Sequence, residues 1–520
     1  MSYLEELLKK AKEERKAQAI ATAEKEAEKK EAVPEEKKEE KTLVDSYGDV
    51  RIYKVQGDPL FKYEVPVPHY RGEEKALIEA LVEIAASVIE TEPGYFGTEE
   101  ERRRKYFDRI MKIIDASPEL KIPIHAKEFY ADAVVKEMIG YGLIDALVRD
   151  DNLEDILIIG SNRPVYVHHR KYEMMKTNIV FYEDKDIRNL IERVARIVGR
   201  RIDFQVPLLD ARLPDGTRVN ATLPPISLDG STLSLRKFRK DPFTIIDLIN
   251  LNTLSSELAA FLWMCVDGLG AYPANILVAG GTAAGKTTTL NVLASFVPAD
   301  ERIVTIEDTA ELNLPLPHLV RFETRPPGLE GTGEITMNDL VKNSLRMRPD
   351  RIIVGEIRGA EGFTMFAAMN TGHKGCLGTV HSNSARETLV RLESPPISVP
   401  HVMLSALNFI LMEQRIHDRK RGTIRRITEL TEVIAGNNDK LELQTLYSWN
   451  PLKDTQEKTE FSSNFLQLLT KYTGLTKKEL LEELSERENK LKEMSKKGVR
   501  DINSVCEITQ NYVLKKKLKT

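Results

Sequence analysis

Gly280-Gly281-Thr282-Ala283-Ala284-Gly285-Lys286-Thr287 matches G-x-x-x-x-G-K-[ST] at every fixed position. An apolar run at 276–279 precedes it, and residues 286–296 continue with the apolar spacing of a helix. Strand, glycine loop and helix in that order constrain the fold more than any other stretch of the chain. The glycines let the backbone wrap closely, so that N–H groups and the start of a helix face an anion. Lys286 adds a compact cation for the β- and γ-phosphates, and the Thr287 hydroxyl is placed for Mg2+. Residues 280–287, with Thr288 after them, are therefore expected to bind the phosphates of a nucleoside triphosphate together with Mg2+.

The surrounding pattern fits such a loop. Residues 255–435 alternate apolar strands, expected at 276–279, 302–306, 352–354 and 378–380, with helical stretches. This predicts an α/β core on a parallel sheet. Ligands of open α/β sheets gather at the carboxyl ends of the strands. Glu356, in Arg351-Ile352-Ile353-Val354-Gly355-Glu356, ends such a strand and is the candidate to orient an attacking water. The residue before it is Gly355, where many phosphate-loop enzymes carry a metal-supporting Asp. Glu307 and Asp308 leave another strand end and are candidates for that missing acid, Glu307 as a catalytic group and Asp308 as a metal ligand. His381 ends a further strand, where it can sense the γ-phosphate; His373 lies nearby in the chain. Arg212, Arg218, Arg236 and Arg239 precede the core and offer cations to a transferring phosphoryl group.

Charge and cysteine content narrow the class. The 76 Lys+Arg and 80 Asp+Glu residues give a net charge of -4, which argues against a nucleic-acid binder. Cys265, Cys376 and Cys506 are too few and too scattered for a disulfide framework or a four-cysteine zinc site. No run of 18 apolar residues is present, and a cytoplasmic protein is expected. Residues 1–42 hold 23 charged side chains and read as a tail, disordered or helical. Residues 43–150 read as mostly helical after a strand at Val50–Val55, and 151–240 as a small α/β lobe. Residues 241–254, opening on Asp241-Pro242, read as a hinge, 255–450 as the core, and 451–520 as a helical extension.

Taken together, the segments 280–287, 305–311, 351–359 and 371–383 resemble, in order, the Walker A, Asp box, Walker B and His box of the type II/IV secretion ATPases. Residues 204–220 resemble that family's N-terminal lobe, whose arginines reach the nucleotide. The resemblance implies a RecA-like core behind a smaller α/β lobe, with helical extensions. It also implies ATP hydrolysis by a homo-hexamer on the inner face of a membrane. Its partners there would be a polytopic platform protein and other filament-assembly components, with no nucleic acid. Within the family the chain is most similar to the archaeal branch, which includes archaellum motor ATPases and archaeal pilus and secretion relatives. The archaellum motor is the expected member. The bacterial type II zinc module is missing. Two other readings stay open: a scaffold that ATP switches with negligible turnover, and a RecA-like DNA motor, which the acidic balance disfavours.

Overall fold

The computed structural model describes residues 40–67, 73–88, 99–120, 122–238, 241–328, 332–419, 421–436 and 440–517. The chain divides into two compact units, one ending at Ile187 and the other running from Arg188.

In the first unit, strands β1 (Lys41–Tyr47), β2 (Val50–Val55) and β3 (Phe61–Glu64) come first, followed by α1 (Glu73–Val88), α2 (Glu99–Ala116), α3 (Lys127–Met138) and α4 (Asp145–Arg149). Strands β4 (Leu153–Ile158), β5 (Pro164–His169) and β6 (Glu173–Val180) then join the sheet in the order β1-β2-β3-β6-β5-β4. Every buried position of β5 alternates with a half-buried one, the period-two pattern of a strand with one face on a core. Ile78, Leu81, Ile110, Ile114 and Val134 form a separate apolar cluster among the helices. Helix α5 (Asp184–Ile197) spans the division.

The second unit starts with an antiparallel triplet, β7 (Leu208–Arg212), β8 (Arg218–Thr222) and β9 (Thr232–Arg236). Next come α6 (Ile245–Asn250), α7 (Ser256–Asp267), β10 (Ile276–Gly280), α8 (Lys286–Ala294), β11 (Ile303–Glu307) and β12 (Leu319–Glu323). They are followed by α9 (Met337–Ser344), β13 (Arg351–Ile357), α10 (Glu361–Asn370), β14 (Leu377–His381), α11 (Ala385–Glu393) and β15 (Phe409–Asp418). Six of these strands run parallel in the order β12-β11-β13-β14-β10-β15. Their all-buried apolar runs, such as Ile276–Gly280, are what a sheet covered on both faces requires. Antiparallel β16 (Gly422–Ala435), β17 (Leu441–Asn450) and β18 (Thr455–Lys458) extend the sheet. The chain closes with α12 (Asn464–Thr473), α13 (Lys477–Lys496) and α14 (Ile502–Lys517).

Several expected boundaries move. Residues 1–39 of the expected tail lie outside the described residues, but Lys41 and Thr42 open β1, paired with Val55 and Lys54. The expected lobe 151–240 is divided, with β4–β6 in one unit and β7–β9 in the other. Residues 241–254 are no bare linker. Thr244 and Asp247 make a capping box for α6, and Ile245, Ile246 and Leu254 are buried in the core around β10. Nor do residues 451–520 stand apart: β18 completes the sheet, and Phe465, Leu469, Leu480, Leu491 and Val513 belong to that same core.

Candidate active site

Strand β10 runs into the glycine loop, and the loop into α8. Gly285 sits immediately before the helix at φ +115°, a conformation open to glycine, and Ala283 also takes a positive φ, 57°. The space beneath is as restrictive as the torsion. A Cβ on Gly280 would come within 2.2 Å of the Glu413 carbonyl oxygen. Lys286 Nζ folds back to donate to the Gly281 carbonyl at 2.8 Å, and burial pushes its pKa below the usual lysine value. A half-buried ammonium beside the N–H groups of a helix start is chemistry suited to a polyphosphate. Thr287 and Thr288 are half-buried on the first turn, Ala284 is buried, and Thr282 and Ala283 are exposed.

The parallel strands deliver the other groups to the same edge. His381 ends β14 level with Gly280. Glu356 lies where β13 carries one extra residue against β14, between the pairs Val354↔Gly378 and Ile357↔Val380. Such bulges re-aim side chains. Thr379 Oγ1 donates to the Gly355 carbonyl at 2.6 Å within it. Arg358 Nη2 lies 2.6 Å from Glu356 Oε2. Burial opposes the charge on Glu356, but Arg358, Lys286 and His381 outweigh it and hold the carboxyl below the usual range. Burial, reinforced by Lys286, keeps the His381 pKa low, so its imidazole is neutral near pH 7. Lys286, Glu356 and His381 thus form one electrostatic group.

Glu307 ends β11 and is more enclosed than Asp308 beside it. It is buried at the end of β11, and its Oε1 accepts from the backbone N–H groups of Glu311 (2.9 Å) and Leu312 (3.0 Å). Burial pushes its pKa up to about 7. Its Oε1 thus holds the 311–312 backbone, while its Oε2 is buried without a hydrogen-bond partner among the described residues. The Asp308 side chain is about half exposed, partial burial of its carboxyl raises its pKa, and Arg358 Nη1 is 3.5 Å away.

The arginines form a row. Arg212 faces Arg218 across β7 and β8, and Arg218 faces Arg236 across β8 and β9. Like charges opposite one another in a sheet repel, which makes such a row a seat for anions. Arg212 pairs with Glu323 at 3.3 Å and Arg218 with Glu311 at 3.4 Å, while Arg236 is exposed. Arg239 lies outside the described residues. Among the described residues no three His, Cys, Asp or Glu side chains converge as a metal site. His373 is on a loop, with its Nδ1 buried and without a hydrogen bond.

Two groups carry no role in the sequence reading. Arg358 follows Glu356 by two residues, but the bulge at Glu356 and the end of β13 at Ile357 break the strand alternation, so spacing alone did not give their pairing. Glu413 ends the apolar run 409–412, and an acid there was the available signal.

A family model described as "Type II/IV secretion system protein" matches residues 140–460. An uncharacterized protein of Methanocaldococcus jannaschii is 34% identical over 71% of this chain and 75% of its own length. A putative conjugal transfer protein of Mycobacterium tuberculosis is 39% identical over 50% of this chain and 73% of its own. Among solved structures, the VirB11 ATPase of the Brucella suis type IV secretion system is 25% identical, covering 55% of this chain and 90% of that one, with a TM-score of 0.29. That superposition is poor, and the relationship stands on sequence. Among the described residues no helix is long and apolar enough to cross a membrane.

Proposed function

We propose, because the chain belongs to the type II/IV secretion system protein family, that it is an ATP-hydrolysing motor of such a machine. The observation that carries this reading is the meeting of Lys286, Glu356 and His381 at the sheet edge where the glycine loop turns. The loop 280–287 cradles the phosphates, with Thr288 behind it. Ionised Glu356 accepts from the attacking water and orients it, and Arg358 keeps that carboxylate charged. His381, neutral, donates toward the terminal phosphate. Mg2+, when bound with the nucleotide, neutralises phosphate charge, and Thr287 and Asp308 are the residues to hold it.

Arg212, Arg218 and Arg236 provide the link to motion. In this structure Arg212 and Arg218 rest on Glu323 and Glu311. A γ-phosphate competes for those arginines, and its release returns them to their carboxylates, which changes how the β7–β9 triplet is held against the sheet edge. Repeated around a homo-hexameric ring docked on a polytopic membrane protein at the inner membrane face, that exchange does mechanical work on the other components of a filament.

The filament we favour is an archaellum; the similarity to an uncharacterized archaeal protein supports an archaeal machine, and the archaellum is our choice among archaeal filaments. The conjugal transfer relative favours a second reading, in which the motor serves secretion or transfer. The decisive experiment is phosphate release from Mg-ATP. The purified chain turns over, Lys286→Ala abolishes turnover and weakens nucleotide binding, and Glu356→Gln binds without turning over. A wild-type chain that binds ATP yet releases no phosphate, even with lipid and partner, would instead be a nucleotide-switched scaffold.

A further inference from the structure

Glu413 lies on the underside of the phosphate loop, and nothing in the hydrolytic reading uses it. It stands level with Gly280 in the parallel register of β10 and β15 and is 1% exposed. A Cβ on Gly285 would come within 2.4 Å of its Oε1, so the carboxyl is in contact with the loop backbone itself. Its Oε2 has no hydrogen-bond partner among the described residues. The Thr289 hydroxyl on α8 is beside it, but the two do not meet in hydrogen-bond geometry. Two cations face the carboxyl, Lys286 from α8 and Arg425 from β16. Arg425 also donates from Nε to the Ala283 carbonyl at 3.1 Å, inside the loop.

We propose that Glu413 is a positioning residue for the phosphate loop that works as the neutral acid, so that its ionisation weakens nucleotide binding. The proposal rests on the reading that 280–287 hold the phosphates. Taking a carboxylate out of water costs more than two partly shared cations return. Burial accordingly pushes the pKa of Glu413 up to about 8, against the pull of Arg425 and Lys286. A neutral carboxyl fits under Gly285, whereas a carboxylate there puts an anion directly below the bound phosphates and competes for Lys286. Bound phosphates, being anionic, raise that pKa further. Nucleotide binding and protonation of Glu413 therefore favour each other.

The test is the Mg-ADP dissociation constant of the full chain against pH, in wild type and in Glu413→Gln. Between about pH 7.5 and about pH 9.5, wild-type affinity falls roughly 5–20-fold more than that of the variant. Burial lowers the Lys286 pKa in both proteins, so the difference between them is the reading. Equal pH slopes overturn the proposal. Absence of binding by the wild type at every pH overturns the phosphate-loop reading instead. Should Glu413→Gln not fold, Arg425→Gln reports on the same carboxyl. Loss of that cation moves the onset of weakening to higher pH, and an unchanged onset overturns the proposal.

Discussion

Arg487 Nη1 lies 2.6 Å from Asp267 Oδ2, with both side chains at most 2% exposed, and this pair fastens α13 to α7. Arg487 Nε also reaches Glu483 Oε1 at 2.7 Å, and the guanidinium lies 4.7 Å from the Trp263 ring centroid. Removing one partner of a buried pair leaves the other charge without compensation. Arg487→Ala is expected to destabilise the second unit by about 3–5 kcal/mol, measured by denaturant unfolding. A loss below about 1 kcal/mol would mean the pair behaves as an exposed one.

Arg358 should set the acid limb of hydrolysis. It holds the Glu356 carboxyl low through their 2.6 Å pair. Arg358→Gln therefore raises the pKa of Glu356, and the acid limb of the kcat profile moves to higher pH. The profile of the variant, measured by phosphate release, would coincide with wild type if the pair had no part in turnover.

The partners of the arginine row should act in opposite directions on nucleotide. Arg218→Gln is expected to weaken ATP-analogue binding and slow turnover tenfold or more, since a charge-assisted contact worth about 1.5–3 kcal/mol is lost. Glu311→Gln frees Arg218 and is expected to tighten analogue binding. Neither change should move stability by more than about 1 kcal/mol, because partly exposed pairs contribute little to folding. Titration calorimetry separates the two, and weakening in both variants would rule out competition for Arg218.

A part-buried polar network in the first unit should make that unit acid-sensitive. Tyr47 and Tyr63 hydroxyls each donate to Asp150 Oδ2 at 2.6 Å, and Tyr47 Oη is 3.2 Å from His169 Nε2. His169 Nδ1 accepts from the backbone N–H groups of Lys171 and Tyr172 at 3.0 and 3.3 Å, so the ring is neutral. Burial lowers the pKa of His169 below 6.5. A folded pKa below the unfolded one means that the stabilisation is complete above 6.5 and is lost as pH falls toward the folded value. Burial opposes the charge of Asp150, but the two tyrosines lower its pKa below 3.8, which extends the loss to more acid conditions. Hydrogen exchange of the β5 amides should accelerate, after correction for intrinsic rates, as pH drops from about 7 to about 5. His169→Gln should remove that dependence.

Features that depend on neighbours in the chain were legible before folding. Residues 276–287 specify strand, loop and helix because each element there is set by local pattern, and the structure has β10, Gly285 and α8 in those places. Glu356 and His381 were readable as strand ends for the same reason, since an apolar run followed by one polar residue at the carboxyl end of a parallel strand reaches the edge. The capping box of Thr244 and Asp247 was equally local, but Asp241-Pro242 made the segment look like a break, and the burial of Ile245 and Ile246 is what holds it in the core.

Contacts between distant segments were not legible. The bulge beside Glu356 exists only where β13 meets β14, and Glu413 reaches Gly285 only because β15 pairs with β10 across more than a hundred residues of chain. Likewise, the charged helix α13 looked like an appendage until Arg487 met Asp267, 220 positions earlier. Torsional preference and apolar spacing act over a few residues, and they were enough to make a phosphate loop on a parallel sheet. Which carboxylate is charged and which is neutral depends on burial and on cations contributed by remote strands. Those terms come into being when the chain closes on itself.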